Sequence, residues 1–159
     1  MKNLMFFLLI TLIINMTLSS EENKSIHKNK DFSITPLYDS DNQSGELIMM
    51  KLKTTNGFAP NVNVAIQSYA KSLEEYQALT VIQIAKLKLK VLKSEIKDNV
   101  LTLEYSGTMK KINFHWYANA YKKDNKMYLV TATSKETQWK TVSKKLTDCV
   151  NSFKLNKNK

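Results

Sequence analysis

The sequence predicts an α+β domain built on an antiparallel sheet, and three observations carry that prediction. The β-rich segment KMYLVTATS at 126–134 runs directly into an amphipathic stretch at 135–155. The SLEE tetrad at 72–75 has the form of a capping box and opens an earlier helix. Between these helices lie alternating segments joined only by short links, which makes sequential neighbours antiparallel.

Taken in order, the chain begins with Lys2 and the apolar run 4–14, followed by Thr17, Ser19 and Ser20. This is the outline of a secretion signal over 1–20. The run falls short of the ~20 residues a membrane span requires, so cleavage and a soluble periplasmic or secreted product are expected, with an uncleaved anchor as the alternative. No cysteine stands near the boundary to carry a lipoprotein anchor. The polar arm 21–30 and the tail 156–159 hold too little apolar surface to order themselves. The stretch 31–155 is the size of one domain.

FSITP at 32–36 alternates and stops at a proline, which suits a first strand at a sheet edge. A loop over 37–44 follows, then a strand over 46–53, a turn at Asn56-Gly57, and an alternating strand around Val62, Val64 and Ile66. The helix from Ser72 to about Lys86 shows apolar residues at Leu73, Tyr76, Leu79, Ile82 and Ala85. Strands are then expected over 87–97, 100–106, 110–122 and 127–133, with turns at Asp98-Asn99, Ser106-Gly107-Thr108 and Asp124-Asn125. The last helix carries Trp139, Val142, Leu146, Val150 and Phe153 at spacings of three and four, capped by Ser134.

All 24 basic residues are lysines and the net charge is +10, only Lys2 of which would leave with the signal. Such an excess favours acidic partners or acidic membrane surfaces. Nucleic acid is disfavoured, because bidentate base readout is mainly arginine chemistry and an exported chain seldom meets it. The single cysteine, Cys149, excludes an intramolecular disulfide, and its place on the last helix reads as an inert, partly buried thiol.

His27 and His115 are the only histidines, and neither forms a metal-ligand spacing with the other residues. The sequence holds no nucleophile-elbow or phosphate-cradling pattern, and Glu74 and Glu75 are accounted for by the helix start. No catalytic residue, metal ligand or cofactor is therefore assigned, and an enzyme is not expected. Along 112–121 one strand face is apolar, through Ile112, Phe114, Trp116, Ala118 and Ala120. The other presents His115, Tyr117 and Tyr121, which form a binding face or else lie beneath a second helix. Lys88, Lys90, Lys93 and Lys97 form either a docking patch for an acidic partner or an ordinary solvated strand face.

Several short words then carry a family resemblance: FSITP at 32–36, NVNV at 61–64, SLEEY at 72–76, YLVTAT at 128–133 followed by Trp139, and NSFK at 151–154. Over residues 31–155 the chain resembles the PsbP-like domains, which include thylakoid-lumen accessory proteins of photosystem II and bacterial envelope proteins of the DcrB type. The resemblance implies an antiparallel β-sheet flanked by helices on both faces, a PsbP-like α/β/α sandwich. It also implies a non-enzymatic accessory or assembly role in the cell envelope. Where family members carry a tryptophan after the early proline, this chain has Leu37-Tyr38, and no metal-binding residue of the photosynthetic members maps onto it. The function expected is thus an exported accessory protein that binds a membrane-associated complex or acidic partner. A carrier of small molecules or lipids, with a pocket between sheet and helix near Tyr117 and Tyr121, is the alternative.

Overall fold

Tight turns set the register of the main sheet. The computed structural model describes residues 27–28, 32–34, 40–43, 48–54 and 57–156. The expected signal over 1–20, most of the expected arm over 21–30, Leu37, Tyr38, the beginning of the expected 46–53 strand and the tail beyond Asn156 lie outside the described residues. In chain order the elements are β1 (His27–Lys28), β2 (Phe32–Ile34), β3 (Ser40–Gln43), β4 (Ile48–Leu52), β5 (Asn61–Ser68), α1 (Leu73–Lys86), β6 (Lys90–Lys97), β7 (Val100–Met109), β8 (Ile112–Lys123), β9 (Lys126–Lys135), α2 (Glu136–Asn151) and β10 (Lys154–Leu155).

The large sheet has the order β3-β4-β5-β9-β8-β7-β6, and each neighbouring pair is antiparallel. Asp98 and Asn99, both at positive φ, close β6 onto β7, a conformation that Asx side chains tolerate. Ser106-Gly107-Thr108, expected to be the next turn, instead continues β7, and the reversal falls at Lys110-Lys111, with φ of +48° and +66°. Gly107 serves a close approach rather than a bend. A Cβ there would lie 2.6 Å from Leu89 Cδ2 and 3.2 Å from Leu89 Cα.

The helix α1 crosses from β5 to β6 over the face made by Leu101, Leu103, Trp116, Ala118 and Ala120. Its start is the expected capping box: Ser72 Oγ accepts from the Glu75 amide at 3.1 Å, and Glu75 Oε2 accepts from the Ser72 amide at 3.0 Å. Leu73, Tyr76, Thr80 and Ile84 are its buried residues. Ile82 and Ala85, expected on the same stripe, are exposed. A strict three-residue repeat falls behind the helical turn, so Ile82, nine residues on at ~100° each, stands on the side opposite Leu73.

The expected strand at 87–97 begins only at Lys90, because residues 87–89 close the helix. Lys88 N–H donates to Ala85 C=O at 2.9 Å and Leu89 N–H to Ile84 C=O at 3.2 Å, with Lys88 at φ +58°. This is a Schellman stop that seats Leu89 beside Ile84, both buried, with lysine in the left-handed position where glycine is usual.

The helix α2 follows β9 and covers the opposite face, so helices lie on both sides of the sheet. Its buried Leu146, Cys149 and Val150 join Phe32, Val62, Val64, Tyr128, Val130 and Phe153 in a second core. Ser134 does not cap it: its hydroxyl donates to the Lys135 carbonyl, and the free Lys135 amide is taken by Gln138 Oε1 at 3.1 Å. The helix ends at Asn151, short of the expected 155, and β10 pairs with β2.

That pairing changes the standing of the first strand. β2, expected at an edge, is the middle of a small sheet ordered β1-β2-β10. His27, expected in a loose arm, pairs opposite Ile34. Ser40–Gln43, expected as loop, is the outer strand β3. Each of these pairings joins one segment with no strand signal of its own, His27–Lys28, Lys154–Leu155 or Ser40–Gln43, to a strand that supplies the order.

Candidate functional site

The side chains of β8 alternate between the two cores. Phe114, Trp116, Ala118 and Ala120 point into the α1 side, while His115, Tyr117, Asn119 and Tyr121 point toward α2. The helix α2 rests on β5, β8 and β9. Beyond it, on the same face, β7 and β6 form an open shelf.

The shelf owes its charge pattern to one extra residue. Lys90 is opposite Ser106 and Lys93 is opposite Glu104, with a register shift between Val91 and Lys93 that leaves Leu92 unpaired as a bulge. In a regular strand Lys90 and Lys93 would point to opposite faces. The bulge puts Lys90, Lys93 and Lys97 on one face, in rows with Ser106 and His115, Glu104 and Tyr117, and Val100 and Tyr121 respectively. All three lysines are exposed. Lys88 stays apart at the end of α1.

The structure thus brings Lys90, Lys93 and Lys97 to the same shelf as Tyr117 and Tyr121, two groups the sequence offered separately. The shelf is not uniformly basic. Lys93 Nζ lies 2.6 Å from Glu95 Oε1, a contact that holds the ammonium above its usual range. Tyr117 and Tyr121 are half-buried where α2 meets the sheet, and their polar ends are engaged. Tyr117 OH donates to Asn151 Oδ1 at 3.1 Å, and Asn119 Nδ2 donates to the same oxygen at 3.0 Å and to Tyr121 OH at 3.3 Å. Burial raises the Tyr121 phenol.

His115 is not a surface group. It is 5% exposed, stacked on Trp139 of α2, with Nε2 2.8 Å from Glu104 Oε1 and Nδ1 3.0 Å from Glu136 Oε2. Both ring nitrogens are occupied by carboxylates on opposite sides, so the ring has no open nitrogen for a ligand or a reacting proton. Among the described residues no His, Cys, Asp or Glu cluster is placed to hold a metal ion.

Sequence reasoning missed Glu104, Glu136 and Asn151. Glu104 and Glu136 stand 11 and 21 residues from His115, and only the strand register brings them to it. Cys149 is buried, and that burial pushes its thiol from 9.0 up to about 12. Among the described residues no helix is long and apolar enough to cross a membrane.

No family model matches the sequence, and no curated protein matches it. The fold does have solved counterparts. One is the solution structure of cyanobacterial PsbP (CyanoP) from Synechocystis sp. PCC 6803, similar at a TM-score of 0.54 over 89% of this chain and 98% of that one. The fold is PsbP-like. Sequence identity to that structure is 13%, so the likeness speaks for the PsbP-like architecture and leaves the site to be argued from its own residues.

Proposed function

We propose that this chain is an exported, non-catalytic accessory or assembly protein of the cell envelope, and that it docks on a membrane-associated or acidic partner through the β6–β7 shelf. One observation carries the reading: the Leu92 bulge aligns Lys90, Lys93 and Lys97 on an exposed row beside the α2 seam. Lysines on an outer strand also discourage strand-to-strand aggregation, as does the bulge. A row aligned on a single face nonetheless presents a surface that an acidic partner can read as a unit. The PsbP-like fold and the signal-like start at 1–20 fit the same reading. The carrier alternative requires the seam between α2 and Tyr117 and Tyr121 to open, and Tyr117 and Asn119 both hydrogen-bond Asn151 across it.

The test is cross-linking of the full-length protein in its own cells, followed by mass spectrometry. Enrichment of one envelope complex, weakened by joint Lys90→Gln, Lys93→Gln and Lys97→Gln and by added salt, is the expected result. Capture that is unchanged by the substitutions rejects the shelf. A processed chain with no protein partner and a small molecule retained in native mass spectrometry replaces this reading with the carrier.

A further inference from the structure

Among the described residues, the lysines at positive φ all lie at one end of the large sheet. Lys88 stands at φ +58° in the helix stop after α1, and Lys110 and Lys111 stand at φ +48° and +66° in the β7–β8 turn. Among the described residues, the remaining non-glycine residues with positive φ are Asp98, Asn99 and Asp124, types that tolerate the left-handed region, whereas lysine does not favour it. Glycine at the helix stop and Asn-Gly in the turn would relieve the strain. These segments are neighbours, because the Leu89 backbone passes within close contact of Gly107. Backbone strain concentrated in one place is a reason to look for function there.

The same tip exposes apolar side chains. Leu87 is 44% and Ile112 38% exposed, with Ile82 at 52% and Leu92 at 44% on the adjoining flank of α1 and β6. The segments 76–94 and 105–123 that build it contain no Asp or Glu. Lys86, Lys88, Lys110 and Lys111 are exposed, and none of them pairs with a carboxylate among the described residues. The nearest acids in the strand register, Glu104 and Glu136, are both held by His115.

We infer that this tip docks on an anionic lipid bilayer, with Leu87 and Ile112 entering the headgroup boundary and the four lysines set against lipid phosphates. The inference deepens the proposed envelope role by naming one surface the protein meets, and it rests on that reading. A lipid surface fits better than a protein one. The patch combines aliphatic side chains with long-stemmed lysines, as membrane-surface contacts do, and its segments 76–94 and 105–123 offer no carboxylate to repel lipid phosphates. Charge complementarity then sums lysine by lysine over the lipid plane.

Co-sedimentation with vesicles of phosphatidylglycerol and phosphatidylcholine, against phosphatidylcholine alone, tests this. The decisive variant is Lys88→Gly with Lys110→Asn and Lys111→Gly, which removes three charges while easing the backbone, so its thermal stability should hold or rise. Wild type should bind only the anionic vesicles, and the variant should bind about a hundredfold more weakly if each lysine contributes roughly fivefold. Leu87→Gln with Ile112→Thr should weaken binding further at salt that screens the charges. Absence of wild-type binding, equal binding by the tip variant, or an equal loss from the Lys90, Lys93 and Lys97 variant overturns the tip assignment. So does an acidic protein cross-linked at Lys110 or Lys111 without vesicle binding. Partner capture that survives loss of lipid binding shows that only the tip has failed. Lipid binding with no captured complex leaves the tip standing and removes the accessory reading.

Discussion

His115 lies face to face with Trp139, the ring centroids 4.0 Å apart and the planes 13° from parallel. The pair joins the middle of β8 to the first turns of α2, and carboxylates of β7 and α2 close on the imidazole from its two edges. Nδ1 faces Glu136 Oε2 at 3.0 Å and Nε2 faces Glu104 Oε1 at 2.8 Å. Stacking on the indole face adds aromatic packing to these polar contacts.

The pair should therefore be coupled. In a double-mutant cycle of His115→Ala and Trp139→Ala, an interaction of about 0.5–1.5 kcal/mol is expected in urea unfolding. Simple additivity would show that the two side chains pack independently. Glu104→Gln should lower stability more than Glu95→Gln, whose partner Lys93 is exposed.

Leu146 is fully buried at the centre of the α2 core. Leu146→Ala should destabilise by about 2–5 kcal/mol, as deletion of a packed aliphatic side chain does. Leu146→Asp should prevent folding, seen as loss of near-ultraviolet circular dichroism. Val142, only half-buried, should give a smaller loss on truncation.

Burial raises the Cys149 thiol from 9.0 to about 12 in the folded protein. A raised pKa stabilises the fold fully below the unfolded value, and that contribution is lost as pH climbs toward the folded one. Stability should thus fall between about pH 9 and 12, where the unfolded chain releases a proton that the folded chain retains. Buried Tyr76 and Tyr105, also raised by desolvation, add to the same fall. Cys149→Ala should make the alkaline fall shallower in denaturant titrations, and wild-type thiol should react with an aromatic disulfide only at the rate of unfolding.

Thr133 is fully buried, and its hydroxyl has no hydrogen-bond partner among the described residues. A buried hydroxyl without a partner loses its hydration and receives no compensating bond. Thr133→Val retains the shape and the β-branching, so a gain of about 1 kcal/mol is expected in thermal or urea unfolding. A loss of similar size would mean that the hydroxyl is bonded in solution.

Much of the fold was legible because its signals are local. The capping box at Ser72, the Asx turn at Asp98-Asn99, and the alternation of β8 and β9 each depend on neighbours a few residues away. Errors arose where local signals competed. Gly107 reads as a turn, yet it lies in a strand, where the missing side chain leaves room for Leu89 to pass. Ile82 fits a three-residue repeat that the real helical period carries out of the core.

The candidate site was legible only as residue types. Tyr117, Tyr121 and the lysines were visible, but their grouping was not, since a single bulge at Leu92 decides which way Lys93 points. His115 was visible as a lone histidine, while its carboxylates come from β7 and from the first residue of α2.

By itself, then, the sequence determined most of the strands of the large sheet, the two helices, the apolar face of α2 and the basic charge, all properties of short stretches of chain. Tertiary structure alone decided that β6 lies at the far edge from β5, that α2 closes over the polar face of β8, and that three strained lysines share one tip. The reason is that these relationships depend on strand order and register, which arise from contacts between distant segments and leave no periodicity in either segment taken alone.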